Sequence, residues 1–180
     1  IPVIGDAKRG DVGHTAQMYA RSVFETIGCD AVTVTPYQGE DALRPFFDYT
    51  DRGVFVLCLT SNPGAADFQL PDLHLQVAKK VQEWNVSGNA GLVVGATRSD
   101  KIAAVRKISG QMPFLIPGVG SQRGELKNTL LFAEDGSKIP YLINASRSIL
   151  YASSGDDFAQ QAGNAAKELR DQINLCRSLL

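Results

Sequence analysis

The 180-residue chain reads as an α/β protein of the (β/α)8 barrel class, covering about the last six βα units. Three observations point there. Short runs of nearly continuous apolarity alternate with helical stretches at a steady beat, as strands covered on both faces do. No linker, low-complexity tract or domain boundary interrupts the alternation. Polar, glycine-bearing motifs follow nearly every strand, as expected when many loops build one site at the C-terminal face of a barrel. An open doubly wound sheet fits the same beat, and the distribution of motifs favours the barrel. Six strands do not close an eight-stranded barrel. Residues 1–180 are therefore expected to form a single barrel domain with its first two βα units absent. Its first and last strands would carry unpaired edges, and the segment is not expected to fold well alone.

The elements follow in order. The first strand is expected at 2–6, where the apolar run Ile1-Pro2-Val3-Ile4 leads into Asp6. Short, β-branched-rich runs place the others at 31–35, 54–59, 91–96, 114–117 and 141–144. Helices are expected between them at 15–27, 41–49, 72–84, 100–108 and 124–133. Ser99 reads as the N-cap of the fourth of these. A last helix at about 156–179 places Phe158, Ala162, Ala165, Leu169, Ile173 and Cys176 on one face at spacings of three and four.

Composition narrows the function classes. With 44% hydrophobic and 21% charged residues, the chain has the makings of one globular domain with a sizeable core. A net charge of −1 offers no basic footprint, so nucleic acid is not an expected partner. No apolar run is long enough to span a membrane, and no signal-peptide pattern appears. Cys29, Cys58 and Cys176 are odd in number and widely spaced, which favours reduced thiols in a cytoplasmic protein. His14 and His74 lack partners at metal-ligand spacing, so no metal site is expected. The chain opens at Ile1, already inside a strand, and a preceding segment is expected.

Asp6-Ala7-Lys8-Arg9-Gly10-Asp11 is the most informative stretch. Side chains alternate along a strand, so Asp6 and Lys8 point the same way. Two carboxylates flanking a lysine perturb one another, and such clusters gather where acids and bases are needed. A solvated turn is the plain alternative. Further on, Thr33-Val34-Thr35-Pro36-Tyr37-Gln38-Gly39 reads as a strand end and a Pro/Gly turn. Thr60-Ser61-Asn62-Pro63-Gly64-Ala65 is either a pair of hydroxyls for a heterocycle's amide edge or a plain Asx-type turn. Pro117-Gly118-Val119-Gly120-Ser121-Gln122-Arg123-Gly124 lies between a strand and a helix, where backbone N–H groups suit a phosphate. Asn144-Ala145-Ser146-Arg147-Ser148 follows the last strand, and barrel enzymes often hold phosphate between their last two loops. Arg147 would supply a charge-assisted pair there. Lys107, Lys127 and Lys167 read as solvated helix faces.

Together, Asp6-x-Lys8-x-x-Asp11-x-x-x-Thr15, the Thr60–Gly64 turn, Pro117–Gln122 and Ser146-Arg147-Ser148 resemble orotidine 5′-phosphate decarboxylase, in family order and across the whole chain. The flavour is that of the subgroup with longer helices and an N-P-G-A turn. The resemblance implies a dimeric (β/α)8 TIM barrel of pyrimidine biosynthesis, converting orotidine 5′-monophosphate to UMP with no metal or organic cofactor. It implies that Lys8 gives a proton to C6 of the pyrimidine and that Asp6 lies against the substrate's carboxylate. It implies that Asp11 and Thr15 reach into a partner's site, that Ser61 contacts the amide edge, and that Pro117 belongs to the substrate loop. Gln122 and Arg147 are then the phosphate-gripping pair. Family members often have glycine where this chain has Ser146. The family's first charged-array lysine, and an aspartate that binds ribose, lie on earlier strands without a counterpart here.

Two rival readings accompany it. One is a related phosphate-binding barrel decarboxylase or aldolase acting on a keto-sugar phosphate with magnesium. The other is a non-catalytic nucleotide-binding fragment that retains Ser61, Gln122 and Arg147 while lacking half the catalytic array. A separate N-terminal segment of the same barrel is a further expected partner, alongside the substrate and a second copy.

Overall fold

The computed structural model describes residues 1–119, 123–134 and 140–179, and among them six parallel strands form one sheet. These are β1 (Ile4–Arg9), β2 (Ala31–Val34), β3 (Gly53–Leu59), β4 (Ala90–Val94), β5 (Phe114–Pro117) and β6 (Tyr141–Asn144). Their order in the sheet is their order in the chain. A doubly wound sheet reverses direction at a switch point. This one never does, so the barrel expectation holds and the open-sheet alternative falls.

The helices are α1 (Gly13–Arg21), α2 (Glu40–Phe47), α3 (Ala65–Phe68), α4 (Leu73–Trp84), α5 (Ser99–Ser109), α6 (Arg123–Glu134), α7 (Arg147–Leu150) and α8 (Phe158–Arg177). A π-helical turn, Ser22–Ile27, prolongs α1 and ends at Gly28 with φ +80°. Ser99 is the first residue of α5, reached through a 3-10 turn at Ala96–Arg98, and not the cap before it. β1 starts and ends later than its apolar run suggests, because pairing with β2 carries the strand on to Arg9.

Strand alternation separates two cores. Val32, Val34, Val54, Val56, Leu92, Val94, Phe114 and Ile116, all inaccessible to solvent, pack in the cluster that also holds the helices' apolar residues. The intervening Ala31, Phe55, Val93 and Leu115 form a separate cluster of strand residues, joined by Ile4 and Leu57, which is the barrel interior. Gly91 sits where Phe55 crosses that interior. A Cβ there would come within 2.7 Å of the Phe55 ring. On the sheet's outer side α8 lays a half-buried stripe including Ala162, Ala165, Leu169, Ile173 and Cys176 against its neighbours, whereas Phe158 at its first residue is exposed.

Arg106 on α5 is buried, although it sits among charged residues that read as a solvated face. It donates to the carbonyls of Ala133, Gly110 and Met112, with its guanidinium 3.5 Å from the centre of the Phe114 ring. The charge ties the ends of α5 and α6 to the start of β5. The three cysteines are free, and burial pushes the Cys58 thiol up to about 12, leaving it a packing residue rather than a nucleophile. His74 is a buried histidine of α4 whose Nδ1 lies 2.9 Å from the Gln69 carbonyl. No helix among the described residues is long and apolar enough to cross a membrane.

Candidate active site

At the C-terminal ends of the strands the sheet curls until β1 faces β4, β5 and β6. Ile4, Asp6, Lys8, Val93, Leu115, Pro117 and Asn144 line one cavity of about 120 Å³. Asp6, Lys8 and Pro117, predicted for the site from sequence, thus meet in space.

The geometry around Lys8 begins with a bulge. Gly5 pairs with Val32 and Arg9 with Val34, which leaves Asp6, Ala7 and Lys8 opposite a single residue, Thr33. The extra length is absorbed at Lys8, whose φ of +47° is the one left-handed backbone among the described non-glycine residues. Such a conformation costs about 1–3 kcal/mol and is held only by surrounding contacts. Bulges of this kind re-aim a side chain. Here Nζ is turned onto Asp6 Oδ2 at 2.5 Å.

Asp6 is held at both oxygens. Oδ2 takes Lys8, and Oδ1 accepts the Thr33 hydroxyl at 2.9 Å. Partial burial works to raise its pKa. The hydrogen bonds from Lys8 and Thr33, with the lysine's charge, outweigh it and set the carboxyl below its ordinary 3.8. Thr33 is 1% exposed and also accepts the Lys8 backbone N–H at 3.0 Å. Sequence reading passed over Thr33 as an ordinary strand end. A polar residue inside an apolar strand, in phase with the interior-facing Ala31 and one strand from the Asp-x-Lys pair, was the signal to find it.

Asp11 and Thr15 do not join this cluster. The Asp11 carboxylate accepts the Val12 N–H at 2.8 Å, and no ion pair links it to Lys8 among the described residues. Thr15, on α1, faces solvent. Of the two carboxylates that flank Lys8 in sequence, Asp6 alone pairs with it among the described residues, because Asp11 lies beyond the strand and folds back on its own turn.

Ser61 comes to the same face by another route. The Thr60 N–H donates to Gln69 Oε1 at 2.8 Å, Gln69 Nε2 donates to the Thr60 hydroxyl at 2.9 Å, and that hydroxyl donates to Asn62 Oδ1 at 2.6 Å. Ala65 N–H closes the turn on the Asn62 carbonyl at 3.2 Å. The turn alternative is what the structure shows for Thr60 and Asn62, with Ser61 exposed at its tip. Thr97 Oγ1 donates to the Ser61 carbonyl at 3.2 Å. A Cβ on Gly95 would lie 2.8 Å from Ser61 N, and one on Gly118 would lie 3.5 Å from Ser61 Oγ. Glycine at position 95 lets the Ser61 turn lie close against the strand end, while Gly118 takes a left-handed backbone with φ +83°.

Arg147 opens α7 three residues after Asn144 and is exposed. Gln122, its expected companion, lies outside the described residues, as do Gly120 and Ser121. Among the described residues no three His, Cys, Asp or Glu side chains gather as a metal site would require.

A lysine and a carboxylate in contact at the C-terminal mouth of a parallel barrel, where barrel enzymes carry their sites, mark the chain as one of the barrel enzymes. Comparison with known proteins narrows the class. Residues 1–162 match the model of the orotidine 5′-phosphate decarboxylase / HUMPS family. The chain is 51% identical over 180 residues to orotidine 5′-phosphate decarboxylase of Dehalococcoides mccartyi, covering 95% of this chain and 67% of that protein. It superposes on the structure of Leishmania donovani OMP decarboxylase with TM-score 0.85 at 43% identity, covering 98% of this chain and 68% of the other. It superposes on Leishmania donovani UMP synthase with TM-score 0.84 at 45% identity, covering 98% of this chain and 40% of that one. The chain belongs to the orotidine 5′-phosphate decarboxylase / HUMPS family.

Proposed function

We propose that Lys8 is the proton donor of an orotidine 5′-monophosphate decarboxylase, the reaction that yields UMP in pyrimidine biosynthesis. The observation that carries the assignment is the bulge at β1, which turns the Lys8 ammonium onto Asp6 at the mouth of the barrel. In the reaction the C6–carboxylate bond breaks and its electron pair stays on C6. That carbon has no adjacent electron sink. A fixed ammonium lowers the energy of the developing charge and then transfers a proton to C6. Asp6, held at both oxygens, places negative charge beside the leaving carboxylate.

The remaining roles follow the same reading. Ser61 contacts the pyrimidine's amide edge from its exposed turn, Pro117 lines the cavity beside it, and Gln122 with Arg147 grips the phosphate. Phosphate binding supplies energy remote from the reacting carbon, available for orientation and loop closure. Residues 1–180 belong to a single barrel domain, and the family's other lysine and its ribose-binding aspartate have no counterpart among them. The enzyme works in the cytoplasm as a homodimer without a cofactor. Asp11 and Thr15 cross into the partner's site, a reading supported by the exposure of Thr15 and by an Asp11 carboxylate engaged only with its own turn among the described contacts.

The test is Lys8→Ala in the full-length barrel, followed by the absorbance change of orotidine 5′-monophosphate. Turnover is expected to fall by several orders of magnitude while UMP still binds. Near-normal turnover overturns the assignment of Lys8.

A further inference from the structure

We infer that Thr33 is a positioning residue for the Lys8–Asp6 pair, its single hydroxyl fixing both the backbone that aims the lysine and the carboxylate that receives it. The inference rests on the reading of Lys8 as proton donor and deepens it.

The argument starts from the unequal strands. Between the pairs Gly5–Val32 and Arg9–Val34, β1 has three residues and β2 has one. A ladder with that mismatch leaves backbone donors of the longer strand without a backbone acceptor opposite. The Lys8 N–H is such a donor, and it goes to Thr33 Oγ1 at 3.0 Å. The left-handed backbone at Lys8 is thereby anchored by a side chain of the neighbouring strand.

The same hydroxyl has one proton to give, and Asp6 Oδ1 takes it at 2.9 Å. That bond fixes the rotation of the carboxylate, so that Oδ2 is the oxygen presented to Lys8 Nζ at 2.5 Å. Thr33 itself is 1% exposed, with no room to contact a substrate. It acts through its neighbours. Valine has nearly the same shape but neither donor nor acceptor, so it would leave the Lys8 N–H unpaired and the Asp6 carboxylate free to turn.

The experiment uses the full-length barrel with Thr33→Val, Thr33→Ser and, in parallel, Lys8→Ala. Thr33→Val is expected to lower kcat by roughly 10- to 100-fold while KM and the Kd for UMP move by less than about threefold. Thr33→Ser restores the hydroxyl and is expected to return kcat to within about threefold of the parent. If Thr33→Val retains parental kcat while Lys8→Ala is inactive, the role of Thr33 is overturned and the Lys8 reading stands. If Lys8→Ala retains turnover, the Lys8 reading falls. Parallel loss of kcat and UMP affinity that serine does not rescue marks Thr33 as merely structural and also overturns the inference. Should the valine variant not fold, Thr33→Ala carries the same expectations.

Discussion

Lys8 Nζ lies 2.5 Å from Asp6 Oδ2 although the strand between them is bulged and Lys8 has φ +47°. A regular strand would also set the two side chains on one face, some 6–7 Å apart along it. The bulge replaces that adjacency with contact. The Lys8–Asp6 contact is thus made at a strained backbone held by the next strand.

This contact has a pH signature. The Asp6 carboxyl sits below its ordinary 3.8 when folded, because the Lys8 and Thr33 hydrogen bonds outweigh the effect of partial burial. The unfolded chain then takes up the proton first as pH falls. The stabilisation is full above the unfolded pKa and is lost as pH drops through the folded one. Urea titrations at about pH 5 and about pH 3 should therefore show a larger loss of stability in the parent than in Asp6→Asn. The difference is small, since the Asp6 side chain is 61% exposed and water screens the pair. Equal losses would separate Asp6 from acid sensitivity.

Gly95→Ala should disturb Ser61 without touching Lys8. The added Cβ would come within 2.8 Å of Ser61 N, and backbone has to move to admit it. UMP affinity, measured by calorimetric titration, is expected to fall roughly 2- to 12-fold, the loss of one neutral hydrogen bond of about 0.5–1.5 kcal/mol. Unchanged affinity would remove Ser61 from the binding surface.

Arg106→Met should destabilise the fold and leave the site alone. It removes the donor that the carbonyls of Ala133, Gly110 and Met112 share and the cation above Phe114, a loss on the order of 3 kcal/mol. Urea unfolding reads the change directly, and a shift near zero would mean that solvent satisfies those carbonyls.

Arg147→Ala should act on the phosphate alone. A charged hydrogen-bonding partner contributes about 1.5–3 kcal/mol, so KM for orotidine 5′-monophosphate is expected to rise roughly 10- to 150-fold. Orotidine, which lacks the phosphate, should be turned over equally by parent and variant. A matching loss with orotidine would place Arg147 in another role.

Much of this was legible in the chain. All six strands were foreseen and all but β1 fall within a residue or two of their expected bounds, because the central parallel strands are apolar on both faces and leave a strong signal. The Asp6–Lys8 pairing followed from two-residue alternation. Thr33 did not announce itself, since its role depends on lying opposite the bulge of another strand. Arg106 was hidden for the same reason: its acceptors are backbone carbonyls on segments far along the chain.

The sequence by itself determined the alternation of elements, the family motifs and the proximity of Asp6 and Lys8 on one strand. These are local matters of periodicity and spacing. Tertiary structure alone decided that the sheet winds in one direction, that Lys8 takes a left-handed backbone, and that the Asp11 carboxylate accepts from its own turn while Thr33 joins Asp6. Each depends on the register between neighbouring strands or on the turn that follows. Register is a relation between segments, set by how their faces pack, and no single segment contains it.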